Sequence, residues 1–148
     1  MAKRLTIRGS NSPAMTVYRR AISASKLVYL ICAPRAQKYE KGRSRIIYIG
    51  MTEKGVHRAS GSMANKAIEF LEEWGIKRLD VHFVTCPPRS GSRSWITLER
   101  DLLVVFKAEY GSVPKGNTSG KNFEIDKLSR KFQSRRLKGL LASFEGSR

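Results

Sequence analysis

Short apolar runs of strand length alternate along this chain with longer stretches whose apolar residues recur at helical spacing. Leu27–Ala33 (LVYLICA) is continuously apolar, the pattern of a strand buried on both faces. Pro34 is expected to end it. Residues 35–45 (RAQKYEKGRSR) then read as a basic loop with a turn at Gly42, and Arg45–Gly50 (RIIYIG) as a β-branched return strand closed by glycine. Thr52–Arg58 lead into a helix with an interruption expected at Gly61-Ser62. Its residues Met63, Ala67, Phe70, Leu71 and Trp74 share one face, and Gly75 stops it. Leu79, Val81, Phe83 and Thr85 alternate with Asp80 and His82, which predicts a third strand with one face toward solvent. Pro87-Pro88 breaks that strand, and residues 89–94 form a loop. Trp95–Tyr110 reads as a second helix closed by Gly111 and Pro114. A third, basic helix is expected from Phe123 to Leu141, with Ile125, Leu128, Phe132, Leu137 and Leu140 apolar.

The order strand, strand, helix, strand, helix gives a small α+β domain, a three-stranded antiparallel sheet flanked by helices. It occupies residues 26–118. Residues 1–25 form a basic N-terminal arm with a short helix at Met15–Ile22, and residues 119–148 a basic C-terminal helical extension. A chain of 148 residues suits one domain with a modest core.

Charge sharpens this picture. There are 29 basic and 12 acidic residues, for a net charge of +17. Residues 1–58 hold 13 Lys/Arg and 2 acids, residues 59–114 hold 7 and 7, and residues 115–148 hold 9 and 3. A polyanion is the natural partner, and nucleic acid the commonest one. No segment pairs a long apolar face with a basic one, which argues against a membrane surface. With no apolar signal core and no membrane-length run, the cytoplasm is the default compartment. Cys32 and Cys86 lie in apolar runs without CxxC spacing and are expected to be buried free thiols.

Glu99 carries the first chemical signal. Its helical neighbours three and four residues away are Trp95, Ile96, Leu102 and Leu103, which centres a carboxylate on an apolar stripe. Desolvating an unpaired carboxylate costs several kcal/mol, so it needs either a strong partner, a metal ion or a buried Arg, or a wet cleft. Tyr29 and Tyr48 sit inside the two paired strands. With a pKa near 10, only about one tyrosine in a thousand is ionised at pH 7, so a nearby cation would have to lower that value for base catalysis. Arg58 lies near the start of the first helix, close in sequence to the end of the second strand. Both histidines, His57 and His82, lack metal-ligand spacing. Gly116–Lys121 (GNTSGK) departs from a phosphate-binding loop in length and context, so no nucleotide cofactor is expected.

These residues resemble a GIY-YIG nuclease domain. The second half-motif is intact as Tyr48-Ile49-Gly50, and the first keeps its tyrosine in Leu27-Val28-Tyr29. Arg58 stands where the family's helix arginine would stand, Glu99 where its metal-binding glutamate would, and Asn117 resembles its later asparagine. The tip 35–45 looks like an insertion, and Met51 stands where some members place a lysine, a role for which Lys54 is a substitute. The resemblance implies a DNA endonuclease of restriction, mobile-element or repair type, using one Mg2+ (or Mn2+) ion on Glu99. Tyr29 or Tyr48 would accept a proton from water, and Arg58 would neutralise developing charge. A site-specific restriction enzyme would act as a homodimer so that both strands are cut. The expected nucleic-acid contacts are Arg43, Arg45, Lys54, Lys115 and Lys121 in the domain. Arg130, Lys131, Arg135 and Arg136 add to them from the tail. The competing reading is a non-catalytic basic nucleic-acid-binding protein, ribosome-associated or architectural, which leaves Glu99 unexplained.

Overall fold

A computed structural model describes residues 24–86 and 93–145, apart from the side chains of 56–58. The expected arm, with its Met15–Ile22 helix, lies outside the described residues except for its last two positions. The order is β1 (Leu27–Tyr39), β2 (Gly42–Thr52), α1 (Gly55–Ile68), β3 (Asp80–Thr85), α2 (Ser94–Tyr110) and α3 (Ser134–Ser143). The sheet is antiparallel in the order β2-β1-β3, so β1 is central. That explains the unbroken burial of Leu27–Ala33: both faces of the strand are covered. Leu27, Tyr29, Ile31 and Ala33 pack under α1 with Ala59 and Phe70, whereas Val28, Leu30 and Cys32 meet Leu98, Leu102, Val105 and Leu137 of α2 and α3. The chain is thus an α+β fold with helices on both faces of one small sheet. No helix among the described residues is long and apolar enough to cross a membrane.

The expected basic loop is instead strand. β1 continues through Pro34 to Tyr39 and β2 begins at Gly42, leaving Glu40-Lys41 as a two-residue turn with Gly42 at φ 108°. Pro34 interrupts the ladder without ending it. Arg45 Nε donates to the Ala33 carbonyl at 2.8 Å and Arg43 donates to Ala36 at 3.2 Å, so arginine side chains satisfy carbonyls that the ladder leaves free. Tyr39 anchors the ribbon. Its ring meets Phe106 edge-on at 5.2 Å, and its hydroxyl donates to the Ile46 carbonyl at 2.7 Å. Burial pushes that phenol up to about 12.

Other expectations need correction. Helix α1 runs straight through Gly61-Ser62, where the added Cβ of a larger residue would meet open space. The irregularity comes later, as a π-helical turn at Glu69–Glu73. The exposed positions of β3, Val81 and Thr85, fall on the face expected to be buried, while Asp80 and His82, expected to face solvent, are partly buried. Phe83 packs on the α1 side and Val84 on the α2 side, while His82 lies 4.7 Å from Phe144 beyond the end of α3. The third helix is shorter than its apolar pattern suggests. Asp101, fully buried on α2, accepts hydrogen bonds from the Ser129 amide and hydroxyl, and Arg130 adopts φ 60°, so the chain turns before α3 starts at Ser134. Cys32 is a buried free thiol, but Cys86 is only partly buried.

β2 is an edge strand of the sheet, yet its outer edge is occupied. The Gly116 amide donates to the Ile47 carbonyl at 2.8 Å. The Asn117 side chain accepts from the Ile49 amide at 2.9 Å and donates to the Ile49 carbonyl at 2.7 Å. One side-chain amide therefore replaces a neighbouring strand. Asn117→Ala strands both Ile49 groups in a buried position, so we expect a loss of about 2–4 kcal/mol of folding stability. Exposed Thr118→Ala should change stability by no more than about 0.5 kcal/mol. Urea unfolding of the two variants checks this.

Candidate functional site

The geometry starts with a slip in register. Ile31 faces Tyr48, but the next residue, Cys32, faces Ile46, so Ile47 is the extra residue of a β-bulge. Ile47 and Tyr48 consequently both join the cluster under α1, whereas Ile46 and Ile49 point to the α2 side. Tyr48 thereby shares a face with Tyr29, whose direct partner across the ladder is Gly50. The two rings lie 5.8 Å apart with their planes at 34°.

Gly50 is a requirement of space. A Cβ there would fall 2.6 Å from Tyr48 Cε1, 2.9 Å from Tyr29 Cζ and 3.0 Å from the Tyr29 hydroxyl oxygen. Both phenols therefore lean over the glycine that ends the Tyr-Ile-Gly triplet. Tyr29 is 2% exposed, and Tyr48 is partly exposed.

The electrostatics run opposite to what base catalysis by a free phenolate needs. Burial pushes the Tyr48 pKa well above its ordinary value, and the adjoining Tyr29 hydroxyl and the carboxylates of Glu99 and Glu69 push it further. Tyr48 is a proton holder at neutral pH. Glu99 lies within electrostatic reach of it and is itself raised by burial. No hydrogen bond or ion pair reaches the Glu99 carboxylate among the described residues. Such a desolvated carboxylate suits a divalent cation, with water filling the other coordination positions. Glu99 sits at the margin of the helix's apolar stripe, partly exposed; the fully buried acid of α2 is Asp101.

Lys66 was not singled out by the sequence reasoning. Its ammonium lies 5.3 Å from the centre of the Tyr48 ring, pairs with Glu69 at 2.7 Å and donates to the Gly116 carbonyl at 3.0 Å. It ties α1 to the segment that edges β2. The signal was present: Ala59, Met63 and Phe70 mark the buried stripe of the first helical segment, and Lys66 falls at the vacant position between them. The rule that exposed Glu99 also selects Lys66.

Arg58 falls in the first turn of α1, just after β2, and its side chain lies outside what is described. Asn117 grips the Ile49 backbone between Tyr48 and Gly50, which makes it a positioning residue for that triplet. Arg45 is committed to Asp80 at 3.0 Å as well as to Ala33, while Arg43 remains exposed. Lys54 and Lys121 are exposed, and Lys115 reaches over the Tyr39 ring. Exposed Arg130, Lys131, Arg135 and Arg136 belong to the α3 layer, on the far side of the sheet from α1. There Lys131 and Arg136 rim a groove of about 370 Å³ floored by Leu98, Phe132 and Leu140. The structure brings Tyr29, Tyr48 and Asn117 together around β2, with Glu99 within electrostatic reach of Tyr48, and leaves the tail cations on the other side of the sheet. No protein-family model, curated protein or solved structure matches this chain.

Proposed function

We propose that this protein is a metal-dependent endonuclease of the GIY-YIG type that hydrolyses DNA. The observation that carries the reading is the pair of tyrosines leaning over Gly50, with the Glu99 carboxylate, unpartnered among the described residues, within electrostatic reach. The net charge of +17 supports a polyanionic substrate.

Each residue has a role in this reading. Glu99 would hold one Mg2+ or Mn2+ ion. When bound, that ion supplies positive charge to polarise the scissile phosphate and stabilise the leaving oxygen. Tyr48 and Tyr29 orient the attacking water through their hydroxyls, and because the phenols are protonated, one accepts the water's proton only as it passes its own proton on to a phosphate oxygen. Cancelling the Glu99 charge removes one of the influences that hold the Tyr48 pKa up. Arg58, from the first turn of α1, neutralises charge developing on phosphate. Asn117 and Lys66 fix the strand and ring that carry the chemistry. The raised Tyr48 pKa by itself favours a second reading, a basic nucleic-acid binder without catalysis, and the variants below separate the two.

Glu99→Gln should abolish Mg2+-dependent cleavage in a plasmid-nicking assay while leaving DNA binding intact. A variant that cuts at the normal rate would sink the metal assignment. Tyr29→Phe and Tyr48→Phe keep the packing, and at least one should lose about 10²–10⁴ in single-turnover rate. Wild-type rates in both would make the hydroxyls structural.

Glu99 also carries a pH signature. Its folded-state pKa lies above its ordinary value of 4.5, so protonation favours the folded state. Its contribution is intact below pH 4.5 and is lost as pH rises through the raised folded value. In EDTA at pH 7, Glu99→Gln should therefore melt above wild type, and the gap should close as pH falls toward 4.5. Mg2+ should raise the wild-type Tm and leave the variant unchanged. Equal Mg2+ responses would place the ion elsewhere.

A further inference from the structure

We infer that the end of the β1–β2 hairpin beyond β3 is a ribbon that grips the phosphate backbone of duplex DNA, with Lys38 and Arg43 as its paired contacts. The inference rests on the DNA reading of the substrate, but not on the cleavage chemistry.

β3 pairs with β1 only along Leu27–Cys32, so the hairpin from Pro34 to Arg43 projects past the three-stranded sheet. In that projection Lys38 stands directly opposite Arg43. Like charges facing each other across an antiparallel pair destabilise it. No carboxylate forms an ion pair with either residue, or with Arg35 or Lys41, among the described residues. Glu40, the acid at the turn, packs instead against Gly111 at the end of α2. A charge pair that costs stability and has no carboxylate partner among the described residues fits an external anion.

The ladder also says which way the pair points. Tyr39, opposite Gly42, packs on Phe106 and Tyr110, and Ser44, opposite Gln37, is buried with its hydroxyl donating to Glu145 beyond α3. Both flanking pairs face the α2–α3 side. Lys38 and Arg43 lie between them and so face the α1 side, the side of Tyr29 and Tyr48. α1 covers that face farther down the strands and leaves both cations exposed. From Arg43 to Tyr48 is five residues of β2, at most about 17 Å. At about 3.4 Å per nucleotide along a duplex strand, that is roughly five phosphate steps. One duplex can therefore touch the ribbon and lie over the tyrosines. A ribbon of two strands about 5 Å apart also enters a major groove about 12 Å wide.

The test uses the full chain in EDTA, so that no cleavage intervenes, and a fluorescent 30-base-pair DNA duplex of mixed sequence. Lys38→Gln/Arg43→Gln should lower the slope of log affinity against log salt by about 1.8, the value for two duplex phosphate contacts. Lys38→Glu replaces repulsion across the strands with attraction. It should weaken DNA binding while raising the Tm by about 1–4 °C, so that binding and stability move in opposite directions. An unchanged salt slope in the double variant would overturn the inference, as would a lower Tm in Lys38→Glu, which would make the pair structural. Binding of the wild type to duplex RNA but not to duplex DNA would also overturn it. A reduced slope together with a wild type that never cleaves would uphold the ribbon and defeat the nuclease reading alone.

Discussion

The side-chain amide of Asn117 closing on both backbone groups of Ile49 is the interaction on which the site depends. β2 is an edge strand, and edge strands with unsatisfied amides and carbonyls slip or recruit other chains. Gly116 and Asn117 fix that edge at two points, on either side of Tyr48. Held there, the strand keeps its bulge at Ile47, and the bulge turns Tyr48 onto the face of Tyr29. The close approach also explains Gly116, because a Cβ there would stand 2.8 Å from the Ile47 carbonyl and 2.4 Å from Phe70. A loop after the second helix thus sets the orientation of a tyrosine almost seventy residues earlier in the chain.

Much of the architecture was legible because it rests on periodicity. The central strand showed as an unbroken apolar run, and α2 as a stripe ended by Gly111, which takes the left-handed conformation at φ 84°. The hairpin was misread because its outer half is polar on one face and docks through a single aromatic, Tyr39, so burial contributes little to its pattern. The third helix was overextended because Leu128 and Phe132 pack on the core from irregular chain. What interrupts the helix is a hydrogen bond from Ser129 to the buried Asp101, a tertiary contact that no local pattern encodes.

At the site, legibility followed the same division. Charges placed among apolar helix positions could be found by counting, which exposed Glu99 and would have exposed Lys66. The bulge could not be read, since a one-residue slip depends on the partner strand. Nor could the commitment of Arg45 to Asp80, which removes one expected cation from the surface and leaves Arg43 beside it exposed. Composition reported the total charge; only the ladder register divides the cations between the α1 face and the α3 layer.

The proposed chemistry turns on whether a divalent cation sits at Glu99. Titrating Mn2+ into the 15N-labelled protein at neutral pH and following paramagnetic broadening of backbone amides addresses this directly. Broadening should begin at the amides around Tyr48–Gly50 and Leu98–Arg100, with those of α3 unaffected at the same ratio. First broadening at Glu124–Asp126, or uniform broadening along the chain, would contradict a metal site beside the two tyrosines.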